Sequence, residues 1–176
     1  MIDLKKYLFE FNHISIPYLE PYYPISYQPD NYSKMIRDLK DNDEFAVEYF
    51  YNRLKDYFEK NINTIVIVPS HDPGSHVSGI KSLADKLAKY RRWNDYSDLI
   101  TREKFIEKLS AGGDRRMRVH RESLKAERIK SILLKKILLI DDVTTTGNSI
   151  YACMEILESI GARYIQPFTL AKTINA

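Results

Sequence analysis

Two short, uninterrupted apolar runs constrain this chain most. Thr64-Ile65-Val66-Ile67-Val68 and Ile137-Leu138-Leu139-Ile140 lack polar alternation, the pattern of strands covered on both faces in a parallel sheet. Parallel strands need crossovers, and helical spacing supplies them. Val77, Ile80, Leu83, Ala84 and Leu87 predict a helix over about 77–90 after the first run. Ile150, Cys153, Met154, Leu157 and Ile160 predict one over about 147–160 after the second, with Gly161 past its end. A helix over roughly 43–60 carries Val47, Phe50, Leu54 and Phe58 and is capped by Asn42 or Asp43. A shorter one, capped by Asn31, carries Met35, Ile36 and Leu39. Further strands are expected near 96–101 and over 164–170, with Pro167 pushing the last toward a sheet edge. Residues 1–30 read as irregular, because Pro17, Pro21, Pro24 and Pro29 interrupt them. The expected fold class is α/β, a mostly parallel sheet flanked by helices. Residues 1–62 are expected to form a small N-terminal hood and the first helices, over a core at 63–176, in one compact domain.

A chain of 176 residues can bury a core without staples. With 44% hydrophobic and 29% charged residues, disorder and fibres are excluded. No apolar run approaches the ~18 residues of a membrane span. The start, Met1-Ile2-Asp3-Leu4-Lys5-Lys6, lacks a signal-peptide layout, so no membrane and a cytoplasmic location are expected. Cys153 is the single cysteine, which excludes an intrachain disulfide and any zinc site needing two thiolates. Its place on the inward face of a helix makes it a core residue.

Charge and tyrosine are both skewed. Residues 101–136 hold twelve Lys/Arg against five Asp/Glu, a net of +7 that leaves −4 for the rest of the chain. Such a run is either a solvated face or a site for phosphates or nucleic acid. Gly112-Gly113 within it marks a loop able to move. Nine of the thirteen tyrosines precede residue 60, suiting a packed hood or, less well in an acidic region, base stacking.

The chemistry concentrates in Lys136-Ile137-Leu138-Leu139-Ile140-Asp141-Asp142-Val143-Thr144-Thr145-Thr146-Gly147-Asn148-Ser149-Ile150. A buried strand delivers two carboxylates at its C-terminal end, where open α/β sheets bind ligands. A hydroxyl-rich turn and a helix start follow, which together offer N–H donors to an anion. Adjacent acids would repel a phosphate alone, but they suit vicinal hydroxyls. Diol acceptors one turn from a phosphate cradle fit a ribose 5-phosphate. No Walker-type or dinucleotide-binding glycine pattern is present.

Residues Ile140–Ser149 closely resemble the 5-phosphoribosyl 1-pyrophosphate (PRPP) motif of the type I phosphoribosyltransferases. The Asp-Asp-Val-x-Thr-Thr-Gly string resembles most the ComF-like branch. Tyr32-Ser33 with Leu39-Lys40, and Val68-Pro69, echo that branch, whereas its cysteine-rich zinc module is missing here. The resemblance implies an enzyme of the phosphoribosyltransferase (glycosyltransferase) kind, with PRPP and Mg²⁺ as its ligands. Asp141 and Asp142 would hold the ribose hydroxyls. Thr144, Thr145, Thr146, Gly147, Asn148 and Ser149 would bind the 5-phosphate. Ser70, His71 and Asp72 would form the pyrophosphate loop. A catalytic loop over about 103–121 would bring Lys104, Lys108, Arg115, Arg116, Arg118 and His120 to the leaving pyrophosphate. No direct protein ligand to the metal is expected. Some purine-specific members carry an Asp base where Thr145 stands, so that base is lacking. The acceptor stays open. The alternative is a regulatory PRPP- or nucleotide-binding module that works with a protein partner or with a nucleic acid through residues 102–136. Further copies of the chain complete the set of partners considered.

Overall fold

The computed structural model describes residues 15–26, 30–70, 78–103, 117–126 and 130–174. Its centre is a five-stranded sheet of β1 (Tyr18–Tyr22), β2 (Thr64–Ile67), β3 (Asn94–Asp95), β6 (Lys136–Thr144) and β7 (Tyr164–Thr173), in the order β1-β7-β6-β2-β3. Every pair in it is parallel. A separate antiparallel ribbon joins β4 (Ile100–Arg102) to β5 (Leu124–Ala126). The helices are α1 (Asn31–Lys40), α2 (Glu44–Leu54), α3 (Gly79–Arg91), α4 (Met117–Ser123) and α5 (Asn148–Ser159). The sheet is therefore mostly parallel and flanked by helices, as the apolar runs predict. No helix among the described residues is long and apolar enough to cross a membrane.

Both sheet faces are covered because β2 and β6 send alternate side chains to opposite layers. Ile65, Ile67, Leu138 and Ile140 pack with α1, α2 and α3. Val66, Val68, Ile137 and Leu139 pack with α5. Cys153 lies in that second layer, and burial pushes its thiol pKa up, which leaves it unreactive. Trp93, Phe58 and Phe168 form an aromatic wedge in the first layer, with the two phenylalanine rings perpendicular at 5.0 Å.

Several sequence expectations are corrected. Asp30, not Asn31, caps α1, its carboxylate accepting from Ser33 N at 2.7 Å. Asp43 caps α2, which stops at Leu54 rather than near 60. The Arg91 guanidinium donates to the carbonyls of Lys55, Phe58 and Glu59, giving the chain partners outside a helix. Phe58 is still buried, so its periodic place reported packing rather than helix. The single strand expected near 96–101 is two, β3 and β4. Asp95 Oδ1 accepts from both Ser97 N and Ser97 Oγ and turns the chain between them.

Residues 18–22 are strand, not irregular chain. Pro21 is tolerated because β1 is the outermost strand. Pro167 does not put β7 at an edge, since β7 lies between β1 and β6. Thr169 N donates toward β1, to Pro17 O. Pro167 has the same parity, so its missing N–H faces a stretch before β1 begins pairing.

Candidate functional site

The crossover from β2 runs through α3 to β3 on one side, and that from β6 runs through α5 to β7 on the other. Neighbouring crossovers diverge between β2 and β6, so a crevice opens at the carboxyl ends of these strands. The pairing between them ends with Val68 N donating to Ile140 O. Asp141 and Asp142 come immediately afterwards, half-buried, with no β2 partner beside them. On its other side β6 continues to pair with β7 as far as Thr144 opposite Lys172. The strand thus runs four residues past the end of its apolar run. Thr144 ends it, buried, instead of opening the turn.

The turn itself is Thr145-Thr146-Gly147, followed by α5 at Asn148. Gly147 has φ +84°, and a Cβ there would stand 2.7 Å from Tyr151 Cε2 and 2.8 Å from Ile16 Cδ1. Only glycine fits. Gly147 itself occupies the cap position of α5, so no side-chain hydrogen bond caps that helix. Thr145 Oγ1 instead lies 3.0 Å from Thr173 Oγ1, tying the turn to the end of β7. Ser149 Oγ sits 3.2 Å from His120 Nδ1. Of the cations expected from the basic stretch, the structure brings His120 to this turn, on α4. Ser70 lies three residues past β2, and its carbonyl accepts from Arg102 Nε at 2.6 Å. His71, Asp72, Lys104, Lys108, Arg115, Arg116 and the side chain of Arg118 fall outside the described residues.

Two cations that no spacing argument singled out for the acid pair frame it. Lys40, at the end of α1, donates to Asp142 Oδ2 at 2.6 Å, its side chain 44% exposed. Burial works against its ammonium, but the Asp142 carboxylate outweighs this, and Lys40 titrates above its ordinary range. Arg102 is buried on the other side. It donates to Ser123 Oγ at 2.5 Å and to the carbonyls of Ser70 and Pro69, and so fastens the β2 loop to the end of α4. Burial holds its pKa below the usual value while Asp141 opposes that. For Asp141, burial and then the Asp142 charge push the carboxyl pKa up to about 8, with Lys40 and Arg102 offsetting part of the rise. Two acids and two cations thus meet at the crevice. The only sequence signal for Lys40 was the motif echo at Leu39-Lys40. Nothing distinguished Arg102 from its eleven neighbours in charge.

A separate cleft of about 570 Å³ lies against α3, β3 and β4, lined among others by Lys81, Asp98, Glu103 and Lys125. Both of its lysines are paired within it, Lys81 with Asp98 and Lys125 with Glu103, and none of the expected site residues lines it. Among the described residues no group of three or more His, Cys, Asp or Glu comes together to hold a metal.

No protein-family model matches the chain. No curated protein sequence matches it either. Among solved structures, it overlays on a purine phosphoribosyltransferase from Pyrococcus horikoshii Ot3 with a TM-score of 0.41 and 16% identity, covering 87% of this chain and 78% of that one. An adenine phosphoribosyl transferase from Trypanosoma brucei, in complex with AMP, pyrophosphate and ribose-5-phosphate, gives 0.41 and 14%, over 78% and 64%. A hypoxanthine phosphoribosyltransferase from Staphylococcus aureus gives 0.38 and 16%, over 80% and 75%. Overlap of this degree carries no residue role and no activity into this chain.

Proposed function

We propose that this chain binds PRPP with Mg²⁺ and transfers the phosphoribosyl group to an acceptor, releasing pyrophosphate. Within the phosphoribosyltransferases we assign it to the ComF-like branch, on the Asp141–Gly147 string and Lys40. The reading rests on one composite feature: two half-buried carboxylates at the sheet's switch point, one turn before a glycine-headed helix start that has no side-chain cap. The carboxylates accept from the vicinal ribose hydroxyls. The first-turn N–H groups of α5, with the Ser149 hydroxyl, receive the 5-phosphate. His120, beside Ser149, acts on that phosphate rather than on the leaving group. In the transfer the C1–oxygen bond to pyrophosphate breaks, the electron pair leaves with pyrophosphate, and an acceptor lone pair forms the new bond to C1. Mg²⁺ would be carried by the oxygens of PRPP, with no direct ligand from the protein expected, and would offset pyrophosphate charge.

Calorimetric titration with PRPP and Mg²⁺ tests the reading. Each hydrogen bond from a hydroxyl to a carboxylate contributes roughly 1.5–3 kcal/mol, so Asp142→Asn should weaken binding about tenfold to a hundredfold. Unchanged affinity in both Asp141→Asn and Asp142→Asn, with native melting curves, would sink it. Tight PRPP binding with no pyrophosphate release from any acceptor would instead support the regulatory binding module.

A further inference from the structure

Arg102, Ser123 and His120 are all buried, and hydrogen bonds join them beside the crevice. A guanidinium offers N–H donors in a rigid planar fork, and its bonds are stronger than those between neutral groups. Arg102 spends this fork on two separate elements. Nε donates to Ser70 O at 2.6 Å and Nη2 approaches Pro69 O at 3.4 Å, both on the chain leaving β2. Nη1 donates to Ser123 Oγ at 2.5 Å, at the end of α4. None of these partners is charged, so the directed bonds fix the course of the chain. The charge of Arg102 acts separately, on Asp141.

The contacts continue past Ser123. A serine hydroxyl has one proton. Here it goes to the His120 carbonyl at 2.7 Å, and a lone pair of the same oxygen receives Arg102. The Ser123 carbonyl accepts from Glu103 N at 2.8 Å, which ties α4 to the residue after Arg102. The ring of His120 completes the span, with Nδ1 3.2 Å from Ser149 Oγ in the first turn of α5. The end of α4 is thus a spacer between the exit of β2 and the start of α5. Both places adjoin the acid pair. The exit of β2 meets it across the sheet, where Val68 N donates to Ile140 O, and α5 follows it along the chain.

We propose that Arg102 is a positioning residue that holds the Pro69–Ser70 exit and the first turn of α5 at a fixed separation, matched to a ligand with an anionic group at each end. The two-ended ligand rests on the PRPP reading, with pyrophosphate toward the exit of β2 and the 5-phosphate at α5. The bridge itself rests on the hydrogen bonds alone. A lysine at this position would keep the charge near Asp141, but one ammonium cannot reproduce the fork. When the separation is set before binding, a ligand that reaches both ends pays less to order them. A ligand that reaches α5 alone gains nothing from Arg102.

Two measurements test this. The first follows the Arg102 Nε–H signal by NMR in the ligand-free protein. Ser149→Ala removes none of the hydrogen-bond partners of Arg102 but ends the His120 contact. It should move that signal and quicken its exchange with water at least about threefold. A signal that stays in place overturns the bridge. The second compares PRPP with ribose 5-phosphate by calorimetry, both with Mg²⁺, in the wild type and in Arg102→Lys. PRPP should weaken at least about tenfold, and ribose 5-phosphate, which has no pyrophosphate, less than about twofold. Ser123→Ala should reproduce this split in smaller measure, and it carries the comparison if Arg102→Lys does not fold. Equal losses for the two ligands would mark Arg102 as a general support of the fold and overturn the proposal. Unchanged PRPP affinity would overturn it as well. If PRPP fails to bind the wild type while Ser149→Ala still moves the Arg102 signal, the PRPP reading falls and the bridge stands.

Discussion

Asp141 is a carboxyl whose surroundings favour its neutral form. Its pKa is pushed up to about 8 from an ordinary 3.8, so between those values the folded chain holds a proton that the unfolded chain has lost. Its contribution to stability is full below pH ~4 and drains away as pH rises toward 8. Asp141→Asn cannot ionise. In thermal melts of the ligand-free protein, the wild type should lose ground to this variant between about pH 5 and about pH 8, with the variant the more stable at the upper end. Parallel curves would contradict the buried acid. Gly147 makes the second prediction at this scale. Gly147→Ala meets a positive φ and two side chains at under 3 Å, so it should cost about 1–3 kcal/mol in a melt. It should also weaken the retention of inorganic phosphate by the turn. The acid pair and Gly147 were legible as a string, because one segment holds them in consecutive positions. Arg102 was not, because its distinction is burial and the partners around it, which no local pattern encodes.

At the scale of elements, the helix that matters most to the crevice is α1, and its seat depends on Gly79. Gly79→Ala would drive a methyl group into the Leu39 carbonyl. It should therefore lower the melting temperature and, by shifting the neighbouring Lys40, loosen its pair with Asp142. The loosened pair should appear as a downward shift of the Lys40 ammonium pKa by NMR, since Asp142 is what raises it. The buried runs and the amphipathic helices could be read from periodicity, because α3 and α5 bury one stripe each. Strand β1 could not. It has four prolines in and around it, and its identity as a strand comes from a ladder to β7 that begins at Tyr18 and Thr169. The last four residues of β6 were missed for a related reason. Three of the four are polar, and of their two possible neighbours β7 is the one that pairs with this stretch.

For the whole molecule, the +7 stretch decides between small and large polyanions. Arg102 is spent on carbonyls, Lys125 pairs with Glu103 at 3.0 Å, and Lys136 covers the Tyr164 ring. With these cations occupied, affinity for duplex DNA should be weak. Its logarithmic salt slope should be shallower than about −3, whereas a slope beyond about −4 would mean four or more phosphate contacts. Fluorescence titrations of labelled oligonucleotides over a range of salt decide it. The ladder between β1 and β7 also governs when the molecule can form. Its first register pair, Tyr18 with Thr169, joins the two ends of the sheet's history in the chain. During synthesis β1 has no partner until residue 169 has left the ribosome. Tyr32, whose hydroxyl bonds to Leu170, waits equally long. Loop closure of this span has to precede any reward from the contact, so the edge strand docks late and slowly. The nascent chain must keep β1 and the Tyr32 hydroxyl from other partners until β7 arrives to meet them.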